Sequence, residues 1–280
     1  EAPGIVGQYV GKELLARTGG KSIAVVNDTV ATLLAAKATE GDKTYSSYIG
    51  FILGTGTNTA YVEKNKNITK LPDADPEGSM IINAESGSFD KAPDSTFDKA
   101  VDAKSGNPGF GLFEKKIAGA YLGALGLEIY KAAAKEGLFS QKAASAILGL
   151  GSLETMDLDN FCASFKKPGR ENVLDTIFAE SADADVARRL GIPVFERAVV
   201  LTAIQLAAFV IKSGEGVDAS APVAINADGS TYYKTRAVPF ADDVRRELDE
   251  MLVKDRNIHY TITPQVDDAP MVGAGIAAML

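Results

Sequence analysis

The middle of the chain, residues 112–213, has the apolar spacing of helices almost throughout, and short strand-like runs lie on both sides of it. This arrangement is not a simple alternation of strand and helix, and it indicates α/β layers with a large helical insertion. The predicted strands are short β-branched or aromatic runs bounded by turn residues: 22–26, 48–53, 59–63, 80–83, 223–226 and 259–263. The chain is therefore expected to form an α/β fold with a mixed β-sheet.

The helix predictions rest on apolar residues that recur every three or four positions. They cover residues 7–17, 29–37, 96–103, 112–135, 141–149, 171–178, 184–190, 193–213, 241–253 and 272–280. The most apolar stretch, 198–211, is shorter than the roughly 18 residues of a membrane span, and it contains Thr202 and Gln205. No membrane-spanning segment is predicted.

The charge balance limits the classes of partner. The chain has 37 acidic and 29 basic residues, with a net charge of −8. No basic surface is expected that could neutralise the phosphates of a nucleic acid or bind an anionic membrane. Cys162 is the only cysteine, which leaves no disulfide framework and fits a reducing cytoplasm. Nothing in the sequence indicates an oligomeric state.

A polar pair interrupts the sequence VVNDT, where Asn27 and Asp28 follow an apolar run and precede a predicted helix. One interpretation is an ordinary strand end with a helix cap. The other is a strand that delivers a catalytic carboxylate to the mouth of a cleft. A carboxylate in hydrogen-bond reach of a hydroxyl can accept its proton as the oxygen attacks a phosphate.

Two glycine-containing turns, LGTGTN (residues 53–58) and NADGST (residues 226–231), follow predicted strands. The backbone N–H groups and hydroxyls of such turns can bind an anion, although each turn also fits a purely structural role. The first lacks the lysine and the spacing of a Walker A loop. Both turns are candidates for a phosphate site.

Two more carboxylates occur at the ends of predicted elements. Glu85 lies just beyond an apolar strand, and Glu114 lies at the start of a long helix, where a helix-cap role is the alternative. Each hydroxyl of a hexose both donates and accepts hydrogen bonds, so carboxylates and amides are its natural partners. Together with Asn27, Asp28 and Asn58, these side chains could surround one sugar.

In chain order, the motifs VVNDT, GTGTN, INAESGSF, NPGFGLFEKKIAGAYLG, DGSTYYK and GAGIAA resemble those of the hexokinase family. The resemblance extends from about Gly7 to Leu280. It implies a ribonuclease-H-like, actin-like ATPase fold with two lobes. The implied activity is ATP-dependent phosphorylation of a glucose-like hexose at its 6-hydroxyl.

The same resemblance assigns roles to individual residues. Asp28 matches the general base, and the positions that hold the sugar hydroxyls are matched by Asn27, Asn58, Glu85 and Glu114. The positions that contact the nucleotide are matched by Gly54, Thr55, Gly229 and Ser230. No His/Asp/Glu cluster has the spacing of a protein metal site, so Mg²⁺ is expected to arrive with ATP.

Some features depart from the family pattern. The N-terminal Asp-Gly-Gly-Thr phosphate loop is not found, residues 267–275 read DDAPMVGAG, and Ser86 stands where the family often has tryptophan. We expect residues 29–270 to form the large lobe, and residues 1–28 and 271–280 to be remnants of a small lobe that is mostly absent. Alone, this portion is expected to transfer phosphate weakly or not at all.

The resemblance suggests a bacterial rather than a vertebrate protein. Two other interpretations remain open at this stage. One is a catalytically silent sugar-binding or regulatory protein on the same fold, and the other is an actin-like nucleotide switch.

Overall fold

A computed structural model describes residues 4–39 and 43–279, and it has a five-stranded mixed sheet at its centre. Residues 1–3, 40–42 and 280, which belong to the predicted lobe segments, lie outside the described residues. The strands are β1 Ser47–Leu53, β2 Thr57–Lys64, β3 Ser79–Asn83, β4 Val223–Asp228 and β5 Tyr260–Ile262. Their order is β3-β2-β1-β4-β5, with antiparallel pairs on one side of β1 and parallel pairs on the other. This architecture confirms the α/β fold with a mixed sheet.

Helices cover both the ends and the middle of the chain. They are α1 Val10–Thr18, α2 Asp28–Thr39, α3 Thr96–Lys104, α4 Glu114–Ile117, α5 Leu122–Lys135, α6 Gln141–Gly149, α7 Thr155–Cys162, α8 Val173–Ile177, α9 Ser181–Ser213, α10 Ser230–Lys234, α11 Phe240–Leu248 and α12 Ala269–Met279. A π-helical turn, Asp249–Lys254, continues α11. The helices α3 to α9 all lie between β3 and β4 in sequence, which confirms the predicted helical insertion.

The carboxyl ends of strands β1, β3 and β4 lie along the same edge of the sheet. Strands β1 and β4 are parallel and end at Leu53 and Asp228, and β3 runs in the same direction because β2 is antiparallel to both of its neighbours. The loops after β1, β3 and β4 therefore begin along one edge. In open α/β sheets, ligands bind outside the carboxyl ends of the strands.

Two glycines allow α2 to pack closely between the sheet and α12. A Cβ at Gly50 of β1 would overlap the carbonyl oxygen of Thr29, and a Cβ at Gly273 of α12 would overlap the carbonyl oxygen of Ala31. This packing fixes the first turn of α2, which begins at Asp28, against the central strand.

The two predicted helices 184–190 and 193–213 form one continuous helix, α9, and Pro193 lies inside it. Proline removes one backbone hydrogen bond from a helix, but buried residues on both sides, such as Ala187 and Phe195, keep the helix packed on the core. By length and mean hydropathy α9 could cross a membrane. However, 56% of its apolar 18-residue window is buried inside the protein, as is typical of a core helix.

The predicted strand 22–26 is wrong. Residues 22–27 have no regular secondary structure, and the side chains of Ile23 and Val25 are 39% and 71% exposed. A strand needs the backbone of a neighbour for its hydrogen bonds, and no strand of the described chain pairs with this segment. Ser22 instead donates a hydrogen bond from Oγ to the carbonyl oxygen of Ala278 in α12 (3.0 Å).

The predicted single helix 112–135 is also wrong, because the chain leaves the helix between α4 and α5. The N–H groups of Gly119 and Ala120 donate to the carbonyl oxygens of Gly54 and Thr55 (2.8 and 3.1 Å). These bonds tie the break to the turn between β1 and β2. Helix α7 was not predicted at all.

Candidate active site

Four polar side chains form a hydrogen-bonded run along the edge of the sheet. Asn58 Nδ2 donates to Asn83 Oδ1 (2.7 Å) and lies 3.4 Å from Asn27 Oδ1. Asn83 Nδ2 in turn donates to Glu85 Oε1 (2.8 Å). The structure thus brings together Asn27, Asn58 and Glu85. The residue that links them, Asn83, was missed, although it ends an apolar strand just as Asn27 ends an apolar run.

The backbone of Glu85 adopts the left-handed conformation, with φ of 49°. This conformation costs a residue with a side chain about 1–2 kcal/mol. It starts the 3₁₀ turn Ser86–Ser88, and the N–H of Ser86 donates to Asn58 Oδ1 (3.3 Å). The exposed Glu85 carboxylate is held at the edge of the sheet by this turn.

Glu114 reaches the same edge from α4. Its Oε2 accepts a hydrogen bond from the N–H of Thr57 (3.0 Å), the residue before Asn58. Two glycines make room for it: a Cβ at Gly56 would lie 2.6 Å from Glu114 Oε2, and a Cβ at Gly87 would lie 3.1 Å from Glu114 Cβ. The carboxylate therefore binds the β1–β2 hairpin, and the helix-cap interpretation of Glu114 does not account for this contact.

Asn27 and Asp28 cap the first turn of α2, as the helix-cap interpretation predicted, but residues 22–26 before them form no strand. The N–H of Thr29 donates to Asn27 Oδ1 (2.9 Å) and to Asp28 Oδ1 (2.8 Å), so both side chains serve the first turn of α2. Asp28 is exposed, and its Oδ2 has no hydrogen-bond partner among the described residues. One carboxylate oxygen is thus available to a ligand.

The two glycine turns lie against each other. Gly54 packs on Gly229 and Ser230, and Thr231 Oγ1 donates to the carbonyl oxygen of Gly54 (2.9 Å). The φ of Gly229 is 112°, and a Cβ there would overlap the carbonyl oxygen of Leu53, so only glycine fits. The turns after β1 and β4 therefore form one unit.

A cleft of about 650 Å³ opens beside these turns, and this volume is suited to a small-molecule ligand. Gly54, Thr55 and Ser230 line one wall, and Gly229 lies behind them. A second wall comes from α7, the loop after it and residues 234–236, and includes Thr155, Asp159, Lys167 and Arg236. Sequence reasoning missed this second wall because α7 was not recognised.

Asp159 is the buried carboxylate in the second wall. Its Oδ1 accepts two hydrogen bonds, from the N–H groups of Arg236 and Ala237 (2.8 Å each). Burial raises the pKa of Asp159 above its ordinary value, although the two backbone N–H groups act in the opposite direction.

No group of three or more His, Cys, Asp or Glu side chains within residues 4–39 and 43–279 is arranged to hold a metal ion.

The hairpin loop after β1 connects the two halves of the candidate site. Its first residues line the cleft, and its last residue, Gly56, contacts Glu114.

Comparison with known proteins gives consistent matches. The family model described as Hexokinase matches residues 48–280. Human Hexokinase-2 is 34% identical over 225 residues, which cover 76% of this chain and 24% of that protein. Glucokinase of Aspergillus niger is 47% identical over 110 residues, covering 36% of this chain and 22% of that protein. The matched regions thus span about a quarter of these relatives.

Solved structures agree. The hexokinase from Schistosoma mansoni complexed with glucose has a TM-score of 0.76 and 27% identity, over 100% of this chain and 64% of that chain. A ROK family glucokinase from Streptomyces griseus in complex with glucose and AMPPNP has a TM-score of 0.53 at 15% identity, over 96% of this chain and 72% of that chain, and shows the fold alone.

These comparisons confirm the ribonuclease-H-like, actin-like ATPase fold. The hexokinase relatives named above are eukaryotic, so they give no support to the expected bacterial origin. The family model covers far more than half of the residues, and its range includes both glycine turns, Glu85 and Glu114. The chain therefore belongs to the hexokinase family.

Proposed function

We propose that the protein containing this chain phosphorylates a glucose-like hexose at its 6-hydroxyl, with ATP as the phosphate donor. One observation supports the proposal most strongly. Hydrogen bonds link Asn27, Asn58 and Glu85 along the edge of the sheet at which the cleft also opens. Membership of the hexokinase family and the likeness to a glucose-bound hexokinase support it.

The sugar would be held by hydroxyl contacts. Carboxylates accept hydrogen bonds from hydroxyls, and amide side chains both donate and accept, so Asn27, Asn58, Glu85 and Glu114 offer a mixed set of partners. Several of these groups are already oriented by the bonds described above, which lowers the entropy lost when the sugar binds.

Asp28 would act as the general base. As the hexose 6-oxygen forms a bond to the γ-phosphorus, its proton moves to the free carboxylate oxygen of Asp28, and the bond from that phosphorus to the leaving ADP oxygen breaks. The position of Asp28 directly after Asn27 supports this assignment, because Asn27 lies at the start of the sugar-contacting run.

The nucleotide would bind in the cleft of about 650 Å³. Gly54 and Gly229 allow the backbone to approach phosphate closely, and Thr55 and Ser230 add exposed hydroxyls. Mg²⁺ would be carried by ATP and would screen the charge of the phosphates. The residues of the cleft would position the nucleotide.

The lobe boundaries are part of the proposal. Residues 29–270 would belong to the large lobe, with residues 1–28 and 271–280 contributing to the small lobe. Because the chain spans only part of its relatives, the activity is proposed for the full-length protein. A cytoplasmic location is proposed from the single cysteine.

The test is the substitution Asp28→Asn in the full-length protein, with hexose-dependent ADP release measured by a coupled assay. Asn keeps the shape and removes the basicity, so kcat should fall by about 10²–10⁴-fold while glucose affinity changes little. Asp242→Asn is the matched control, because Asp242 is also an exposed carboxylate in the first turn of a helix.

Near-normal turnover in Asp28→Asn would show that Asp28 serves only the first turn of α2. A wild-type protein that binds glucose but releases no ADP with any hexose would instead favour a catalytically silent sugar-binding protein.

A further inference from the structure

A buried glutamine lies next to the hydrogen-bonded run of Asn27, Asn58, Asn83 and Glu85, which we propose contacts the sugar. Gln205 of α9 is 6% exposed, and its Nε2 donates to Thr59 Oγ1 (2.8 Å) and to Ser86 Oγ (2.7 Å). The two hydroxyl oxygens are themselves 3.2 Å apart. Three side chains from α9, β2 and the turn after β3 thus meet in one polar cluster.

The cluster is unusual for its position on α9. Neighbouring residues Ala203 and Leu206 are fully buried apolar residues, and Gln205 Oε1 has no hydrogen-bond partner among residues 4–39 and 43–279. An unpaired buried polar atom destabilises a fold, and an apolar side chain at this position would avoid that cost. The packing of α9 therefore does not explain the glutamine.

The residues that Gln205 holds also hold Asn58. Asn58 Oδ1 accepts hydrogen bonds from the backbone N–H groups of Thr59 (2.7 Å) and Ser86 (3.3 Å), while Gln205 binds the hydroxyls of the same two residues. Ser86 also directly follows Glu85, whose left-handed backbone directs the chain into this turn. The cluster therefore connects α9 to both Asn58 and Glu85.

We propose that Gln205 is a positioning residue for sugar binding. It contacts no sugar itself, and it fixes the β2 strand and the Ser86 turn relative to each other, so that the Asn58 amide and the Glu85 carboxylate face one ligand. This inference rests on the proposed function, because it assigns Gln205 to the sugar half of that site.

The main test is Gln205→Met, which keeps the length of the side chain and removes its hydrogen bonds. Thr202→Val is the matched control: Thr202 lies on the same helix, is fully buried, and its Oγ1 has no hydrogen-bond partner in the described part of the chain. Hexose KM and kcat are measured in the full-length protein, and thermal melting shows that each variant folds.

We expect Gln205→Met to raise the hexose KM by about tenfold, which corresponds to one hydrogen bond, with a smaller change in kcat. Thr202→Val should leave KM unchanged. Hydrogen exchange of a peptide covering residues 83–89 should be faster in Gln205→Met only, because the Ser86 turn has lost its support.

A double-mutant cycle with Ser86→Ala tests the route of the effect. If Gln205 acts through Ser86, the two changes in KM are clearly non-additive. An unchanged KM in folded Gln205→Met, or an equal rise in Thr202→Val, would overturn the proposal.

The positioning role of Gln205 can be tested even if the protein has no kinase activity. If the wild type releases no ADP with any hexose, the proposed function fails and glucose affinity by calorimetry replaces KM. Equal glucose affinity in wild type and Gln205→Met would then overturn the positioning role.

Discussion

The substitution Gly56→Ala tests whether the β1–β2 hairpin sets the position of Glu114. The new methyl carbon would lie 2.6 Å from Glu114 Oε2, whereas ordinary contacts begin at 3.4 Å. The carboxylate must therefore retreat by about 0.8 Å, the difference between those two distances. A retreat of this size would lengthen its 3.0 Å hydrogen bond to the N–H of Thr57 beyond useful range.

The expected magnitude follows from the bond that is lost. A hydrogen bond to a charged group contributes roughly 1.5–3 kcal/mol, which corresponds to about 10- to 100-fold in an equilibrium constant. We expect the free energy of unfolding of Gly56→Ala to fall by that energy, because the bond from Thr57 is lost. We expect the hexose KM to rise within the same range of fold-change, because the displaced Glu114 carboxylate would also lose its proposed hydrogen bond to a sugar hydroxyl.

The assay is hexose-dependent ADP release in the full-length protein, together with urea unfolding. Gly106→Ala is the control, because a Cβ at Gly106 meets no atom within 4 Å in the part of the chain that the structure describes, and the residue has no positive φ. The reasoning would be refuted if folded Gly56→Ala had the hexose KM and the stability of the control.

Buried ionisable groups and close backbone packing also determine the stability of this fold. Burial alone would raise the pKa of Glu63, but its hydrogen bonds, first that from Lys212, outweigh burial and lower the pKa from 4.5 to about 2. The ionised carboxylate therefore stabilises the fold by up to about 3 kcal/mol, and this stabilisation is complete above pH 4.5 and is lost as the pH falls towards 2. Glu63→Gln should accordingly lower the free energy of unfolding in urea most at pH 7 and little at pH 2. The pKa of Asp159 is raised by burial, so ionisation of this group costs stability as the pH rises from 3.8 through the folded pKa, and the stability of Asp159→Asn relative to wild type should increase over that range. Gly273→Ala places a methyl group into the backbone of α2 and should lower stability by about 1–3 kcal/mol in thermal unfolding. Gly275→Ala should not, because a Cβ there meets no atom of the described residues within 4 Å.

The sequence predicted the sheet well because its strands are short apolar runs that stop at polar or glycine residues. The runs 48–53 and 223–226 correspond to β1 and β4, which end at Leu53 and Asp228, directly before the glycine turns that meet at this edge. A strand end is local information, since it depends on where apolar side chains give way to groups that need water or a ligand.

The errors have a different physical origin. Helical spacing across residues 112–135 is real, but two N–H groups at Gly119 and Ala120 bond to the turn after β1 instead of to their own helix. The run 22–26 has strand propensity, yet no strand of the described chain pairs with it. Both outcomes depend on distant backbone groups, which periodicity within one segment does not contain.

Gln205 shows how far a local pattern can lead towards a site. In the sequence it is a polar interruption of the apolar stretch 198–211, which by itself argues only against a membrane span. A buried amide must find partners or destabilise the fold, so the interruption already indicates that polar groups lie opposite this face of α9. It does not indicate which ones: Thr59 and Ser86 are 146 and 119 positions away, and only the folded sheet brings them together. The polar residues at the strand ends could therefore be proposed as ligand contacts from the sequence alone, whereas the partners of Gln205, and with them its proposed positioning role, require the structure.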